Sequence, residues 1–209
     1  MASNDERGSA ALRVPVAVSA RHVHLTESTI EKLFGSGYRL HAEAPLSQPG
    51  QYAAQETIAL VGPRGRLENV RILGPPRNED QIELSGSDEH VLGLSAPLRL
   101  SGDLADTPGI VLEGPAGRVT LTHGAICALR HIHMNPTDAL HFGVHDRDVV
   151  DVAIDSAGRD VVFGDVVVRV SPHYRLELHL DTDEGNAAGI SLDPVHVTAR
   201  VLRADSVAP

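Results

Sequence analysis

From Val14 to Ser19 the chain alternates apolar and small residues, and a period of two returns along most of its length. Glu56–Val61 and Leu67–Leu73 flank Gly62-Pro63-Arg64-Gly65, and Ile110–Glu113 and Arg118–Leu121 flank Gly114-Pro115-Ala116-Gly117. Val149–Ile154 and Asp160–Phe163 stand on either side of Ser156-Ala157-Gly158. Each set predicts a β-hairpin, because the turn residues interrupt two runs of strand period. Further strands are expected at Val166–Val170, Tyr174–Leu180 and His196–Leu202. Helical signals are few and short. Thr26 is placed to cap Glu27–Phe34, which Gly35 ends. Asn135-Pro136 opens a helix to about Phe142, and Thr182 starts one that runs through Ala188. Many close-spaced strands with a few capping helices predict a mainly β fold made of β-barrels rather than a wound α/β sheet.

The chain also repeats itself. Arg21-His22-Val23-His24-Leu25-Thr26 and Arg130-His131-Ile132-His133-Met134-Asn135 share the pattern Arg-His-(β-branched)-His-apolar, 109 positions apart. Each is followed by a capping residue and a short helix. A duplication of this kind gives two β-barrel domains of similar design, each carrying one histidine pair.

Those pairs are the chemistry of the sequence. Residues two apart on a strand share a face, so His22 and His24 present two imidazoles side by side while Val23 and Leu25 face the core. His131 and His133 do the same, with Ile132 and Met134 opposite. One His-x-His is by itself only a polar strand face. Two in matched contexts point to divalent metal, which needs at least a third ligand at each pair. In Leu176-Glu177-Leu178-His179-Leu180 the leucines form a buried face and leave His179 on the polar one. Glu83 alternates similarly in Gln81-Ile82-Glu83-Leu84. The expected sets are His22, His24 and Glu83, and His131, His133 and His179; three protein ligands leave coordination positions open for catalysis. The other histidines have no such partners, and Cys127, in an apolar run, is expected as buried filler.

Composition narrows the field. At 209 residues and 42% hydrophobic the chain can bury a real core, although it has no Trp and only three Phe and three Tyr. The net charge of −10 argues against broad nucleic-acid binding, and no apolar run approaches a membrane span. A single cysteine excludes an internal disulfide, and the polar N-terminus (1–13) lacks a secretory pattern, so a cytoplasmic protein is expected. Seventeen of the 18 basic residues are Arg, a side chain suited to phosphate wherever it converges.

The blocks Ser19-Ala20-Arg21-His22-Val23-His24-Leu25, Leu46-Ser47-Gln48-Pro49-Gly50-Gln51, Ile72-Leu73-Gly74-Pro75-Pro76-Arg77, Gln81-Ile82-Glu83-Leu84-Ser85, Arg130-His131-Ile132-His133-Met134 and Glu177-Leu178-His179-Leu180-Asp181-Thr182-Asp183-Glu184 resemble, in order, those of PduL-type phosphate acyltransferases. The resemblance runs from about Val14 to Leu202. It implies two β-barrel domains, coenzyme A as substrate, and two divalent metal ions, usually zinc, between the barrels. It implies a discontinuous first domain (14–20 with 129–209) and a second domain (21–128). The six ligands named above carry over as the metal set, and Arg77 matches the phosphate-binding arginine. The implied reaction moves a short acyl group, propanoyl or acetyl, between coenzyme A and inorganic phosphate, with small molecules as partners and a homo-oligomer left open. Gly185 stands where Ala is usual, and Tyr52 where Phe is. Relatives in bacterial microcompartments carry an amphipathic N-terminal helix; 1–13 shows no apolar stripe, so the cytoplasm is expected with the microcompartment lumen as the alternative. Two other readings use the same ligands: a hydrolase acting through a metal-bound water, and a non-catalytic metal-binding protein.

Overall fold

The computed structural model describes residues 12–156, 158–190 and 197–202. Most of the polar N-terminal tail, Ala157 of the third hairpin turn and His196 lie outside these residues. In chain order the elements are β1 (Arg13–Ser19), β2 (His22–His24), α1 (Glu27–Phe34), β3 (Ala42–Pro45), β4 (Tyr52–Val61), β5 (Arg66–Gly74), β6 (Gln81–Leu84), α2 (Gly86–Leu92), β7 (Leu98–Arg99), β8 (Val111–Glu113), β9 (Arg118–Thr120), β10 (Ala125–Ala128), β11 (His131–Met134), α3 (Pro136–Phe142), β12 (Val149–Ile154), β13 (Val161–Val170), β14 (Glu177–Asp181), α4 (Thr182–Ala187) and β15 (Thr198–Leu202). They form two compact units. One is built from the described residues of Met1–Val18, Arg130–Leu180 and Glu184–Pro209, the other from Ser19–Leu129 with Asp181–Asp183.

In the first unit β1-β14-β11-β13-β12-β15 close into a barrel. Its core takes alternate residues from five strands, Val14 and Val16, Leu178 and Leu180, Ile132 and Met134, Val166 and Val168, Val150 and Val152, and Ala199 from β15. Two strands were expected around Gly164. One continuous β13 runs through it instead, because Asp165 adopts a left-handed backbone (φ 55°) and the pairing with β12 slips between Val150 and Val152. An extra residue bulges out, and the strand bends without ending. Gly185 also finds its reason here: a Cβ would stand 2.9 Å from both Val18 methyls. The glycine accommodates that valine.

The second unit is a nine-stranded curled sheet, a half-barrel, ordered β7-β10-β6-β2-β5-β4-β8-β9 with β3 on β4. Val23, Leu25, Ile58, Leu60, Val70, Ile72, Ile82 and Leu112 pack in its core. The two Gly-Pro hairpin turns cover helix ends. Arg64 N–H donates to Leu92 O of α2 at 3.0 Å and Ala116 N–H to Leu33 O of α1 at 2.9 Å, which satisfies carbonyls that the helices leave open. Side chains at Gly62 and Gly114 are excluded, since a Cβ would lie 2.3 and 2.5 Å from those same oxygens. The unforeseen helix α2 is announced by a capping box between Ser85 and Asp88.

The repeat seen in the sequence has a structural counterpart. β6-β2-β5-β4 and β14-β11-β13-β12 occur in the same order, and in both the histidine strand is parallel to one neighbour and antiparallel to the other. Asn69 (φ 55°) bulges in β5 as Asp165 does in β13.

Away from the histidines, Glu56 is buried and accepts from the Tyr38 hydroxyl at 2.9 Å and from the ring and backbone N–H groups of His41 at 2.7 and 3.1 Å. Burial by itself raises the carboxyl pKa, but these hydrogen bonds overcome it and leave the pKa below the ordinary 4.5. A depressed carboxylate pKa stabilises the fold above about 4.5, and that stabilisation disappears as pH falls through the folded value. Glu56→Gln is therefore expected to cost ~1–3 kcal/mol at neutral pH. In urea titrations the gap from wild type narrows as pH drops below 4.5.

Candidate functional site

Strand pairing alone assembles each histidine pair with its third member. On β2 and β6 His22 lies directly opposite Glu83, and His24 opposite Gln81. On β11 and β14 His131 lies opposite His179, and His133 opposite Glu177. Each unit thus carries a four-cornered polar patch on one sheet face, with the apolar core on the other. His22, His24 and Glu83 bring ligand-type atoms within 4.8 Å of one another, and so do His131, His133 and His179. The four paired histidines are less than a tenth exposed.

In the His22 cluster both rings are anchored from behind. His22 Nδ1 lies 2.8 Å from the Ala20 carbonyl, and the Leu73 backbone carbonyl holds the His24 ring. This leaves the Nε2 atoms facing Glu83, 3.4 Å from Oε2 for His22 and 3.9 Å from Oε1 for His24. Such a backbone anchor fixes the tautomer of a metal-binding imidazole. Burial pushes the His22 pKa down, but the charge and hydrogen bond of Glu83 and the Ala20 carbonyl win, and it ends above 6.5. His24 goes the other way, to about 3, through burial and then the charges of His22 and Arg77. His24 is therefore a neutral lone-pair donor at pH 7, and two imidazoles beside one carboxylate are a donor set that fits a divalent cation.

The His131 cluster holds three imidazoles: His131 and His179 are stacked at 5.0 Å between ring centroids, and His133 stands 4.6 and 4.8 Å from them. His179 Nε2 is buried without a well-formed hydrogen bond, 3.1 Å from Glu177 Oε2. A buried nitrogen of this kind is costly unless something binds it, and three imidazoles are a fitting donor set for zinc-like cations. Tyr174 stacks on His133 at 4.0 Å, and the Arg169 guanidinium lies 5.7 Å from the Tyr174 ring.

Arg77 sits in the loop between β5 and β6, which is pinned at both ends. Its N–H donates to Leu25 O at 2.9 Å, while Asp80 accepts from Thr26 N and Thr29 Oγ1 at the start of α1. The Arg77 guanidinium donates to Ser101 Oγ at 3.2 Å and is close enough to lower the pKa of both His22 and His24. It therefore stands beside the cluster as a half-buried cation.

Sequence reasoning missed several supporting residues. Gln81 Nε2 donates to Glu83 Oε1 at 2.5 Å and to Ser101 Oγ at 2.8 Å. Arg21 pairs with buried Asp88 at 2.6 Å, and Arg130 with Glu184 at 3.1 Å. These two pairs tie the start of each histidine strand to the helix that follows the third-ligand strand. Gln81 was legible from its place two residues before Glu83; Ser101 left no local pattern. Cys127 is buried, as expected.

The chain is similar to known proteins along most of its length. The family model for phosphate propanoyltransferase matches residues 15–191. The chain is 53% identical to the phosphate propanoyltransferase of Thermotoga maritima over 173 residues, 83% of this chain and 82% of that one. It is 50% identical over 189 residues to those of Shewanella putrefaciens and Salmonella typhimurium, covering 90% of this chain and 88% and 89% of theirs. The chain is thus an acyltransferase enzyme, a phosphotransacylase. The chain belongs to the phosphate propanoyltransferase family.

Proposed function

We propose that this protein transfers a short acyl group reversibly between coenzyme A and inorganic phosphate, using divalent cations held by His22, His24 and Glu83 and by His131, His133 and His179. The observation that carries the reading is the pairing of a three-ligand cluster with a half-buried arginine in one unit, inside a chain of this family. When bound, a zinc-like cation supplies Lewis acidity, which favours thiolate over thiol and stabilises a tetrahedral oxyanion.

The residues do the rest. His22 and His24, locked from behind by backbone carbonyls, offer their Nε2 lone pairs, and Glu83 supplies a negative charge that offsets half of a dication's charge. Arg77 offers the planar fork that matches two phosphate oxygens, and its anchored loop keeps that fork in one place. Phosphate is then the nucleophile towards the acyl carbonyl: the new O–C bond forms, the C–S bond breaks, and coenzyme A leaves as thiolate. No protein nucleophile is needed, and the burial of the histidines keeps competing water away. His131, His133 and His179 would hold the second cation, which would supply Lewis acidity of the same kind.

No helix among the described residues is long and apolar enough to cross a membrane. The test is thiol release from acetyl-CoA and propanoyl-CoA, with and without phosphate, before and after a chelator. Release that requires phosphate and stops on chelation is expected. Release indifferent to phosphate indicates a hydrolase, and none from folded, metal-loaded protein returns the clusters to a structural role.

A further inference from the structure

Each polar patch has a fourth corner that is not a member of its three-residue cluster. In the second unit this is Gln81, on β6 opposite His24 and two residues before Glu83. Its side chain is almost fully buried, with the residue 2% exposed. Gly102 N–H donates to Gln81 Oε1 at 2.8 Å, which sets the amide one way round. The opposite end must then present its two N–H bonds, and they go to Glu83 Oε1 at 2.5 Å and Ser101 Oγ at 2.8 Å. Ser101 Oγ also accepts from Arg77 Nη1 at 3.2 Å. One amide therefore reaches the carboxylate of the histidine cluster directly and the guanidinium through one hydroxyl.

The corresponding corner of the first unit is Glu177, opposite His133 and two residues before His179. There the corner is a carboxylate, Glu177 Oε2 lying 3.1 Å from His179 Nε2 without a well-formed hydrogen bond. The amide network around Gln81 is particular to the second unit's patch.

We propose that Gln81 is a positioning residue for acyl transfer, its amide orienting Glu83 towards the histidines and, through Ser101, orienting Arg77 towards phosphate. This rests on the reading of the cluster and Arg77 given under Proposed function. With Oε1 of Glu83 held by the amide, Oε2 is turned to the His22 side, 3.4 Å from Nε2. Loss of the amide removes its hold on the carboxylate and one of the two donors that hold Ser101 under the guanidinium.

The test uses three variants of the full chain: Gln81→Met, which keeps the length of the side chain without its hydrogen bonds; Gln81→Glu, which keeps the acceptor for Gly102 but puts a carboxylate against Glu83; and Ser101→Ala, which cuts only the Arg77 branch. Three quantities are read: cobalt(II) retention against a competing chelator, KM for phosphate beside KM for acyl-CoA, and the melting temperature. For Gln81→Met and Gln81→Glu, cobalt affinity at one site is expected to fall ~10- to 100-fold, as for other residues that orient metal ligands. KM for phosphate rises while KM for acyl-CoA changes little. Ser101→Ala raises KM for phosphate and leaves cobalt retention at the wild-type level. Gln81 variants with wild-type cobalt affinity and phosphate KM overturn the proposal. If Gln81→Met melts too early to assay, Ser101→Ala decides, and an unchanged phosphate KM there overturns the link to Arg77. Wild type that retains no cobalt or ignores phosphate brings down the underlying reading as well; wild type that does both, beside indifferent variants, brings down this inference alone.

Discussion

His24→Ala and His133→Ala each lower acyl transfer by ~1,000-fold or more, since several kcal/mol of charge stabilisation is lost with the cation and each 1.36 kcal/mol is tenfold in rate. Each variant also binds about one cation fewer than wild type by metal analysis. The fold is expected to survive. Val23, Leu25, Ile132 and Met134 carry the core side of these strands, whereas the imidazoles lie on the opposite face. Circular dichroism close to wild type, with activity gone and one equivalent of metal missing, is the expected combination. A variant that keeps both its metal and its rate removes that histidine from the site.

Arg77→Ala has the second-largest expected effect. The guanidinium is the cation placed beside the His22 cluster by a loop fastened at Leu25, Thr26 and Thr29. Its removal is expected to lower kcat/KM for phosphate ~100- to 1,000-fold, the scale seen when one preorganised donor to a developing charge is deleted. KM for acyl-CoA changes far less. Arg77→Lys keeps the charge but not the two-point fork, so it recovers only part of the loss. Equal losses towards phosphate and acyl-CoA would mean instead that Arg77 acts through the fold or through the coenzyme.

Much of this arrangement is written in local pattern. The period of two at Gln81–Leu84 and Leu176–Leu180 places Glu83 and His179 on polar faces, and the His-x-His pairs declare their own strand geometry. Thr26, Asn135 and the Gly-Pro turns announce helix starts and hairpins through short-range chemistry. Elsewhere local reading gives out. Gly164-Asp165 looks like a break because a turn and a bulge use the same residues, and only pairing with β12 decides between them. The register that sets His22 against Glu83 joins residues 61 positions apart, and Ser101 reaches Arg77 from a loop with no periodicity. Contacts of that range depend on the whole sheet. Alternation shows which face a side chain takes, but not which partner it meets there.

In the proposed mechanism, cations in these two clusters are required for transfer between coenzyme A and phosphate. The most direct measurement strips the protein with a chelator, returns zinc in fractions of an equivalent, and follows acyl phosphate formation by phosphorus NMR. Activity absent from the stripped protein and rising to a plateau near two equivalents per chain is the predicted result. Full acyl phosphate formation by metal-free, folded protein would contradict it.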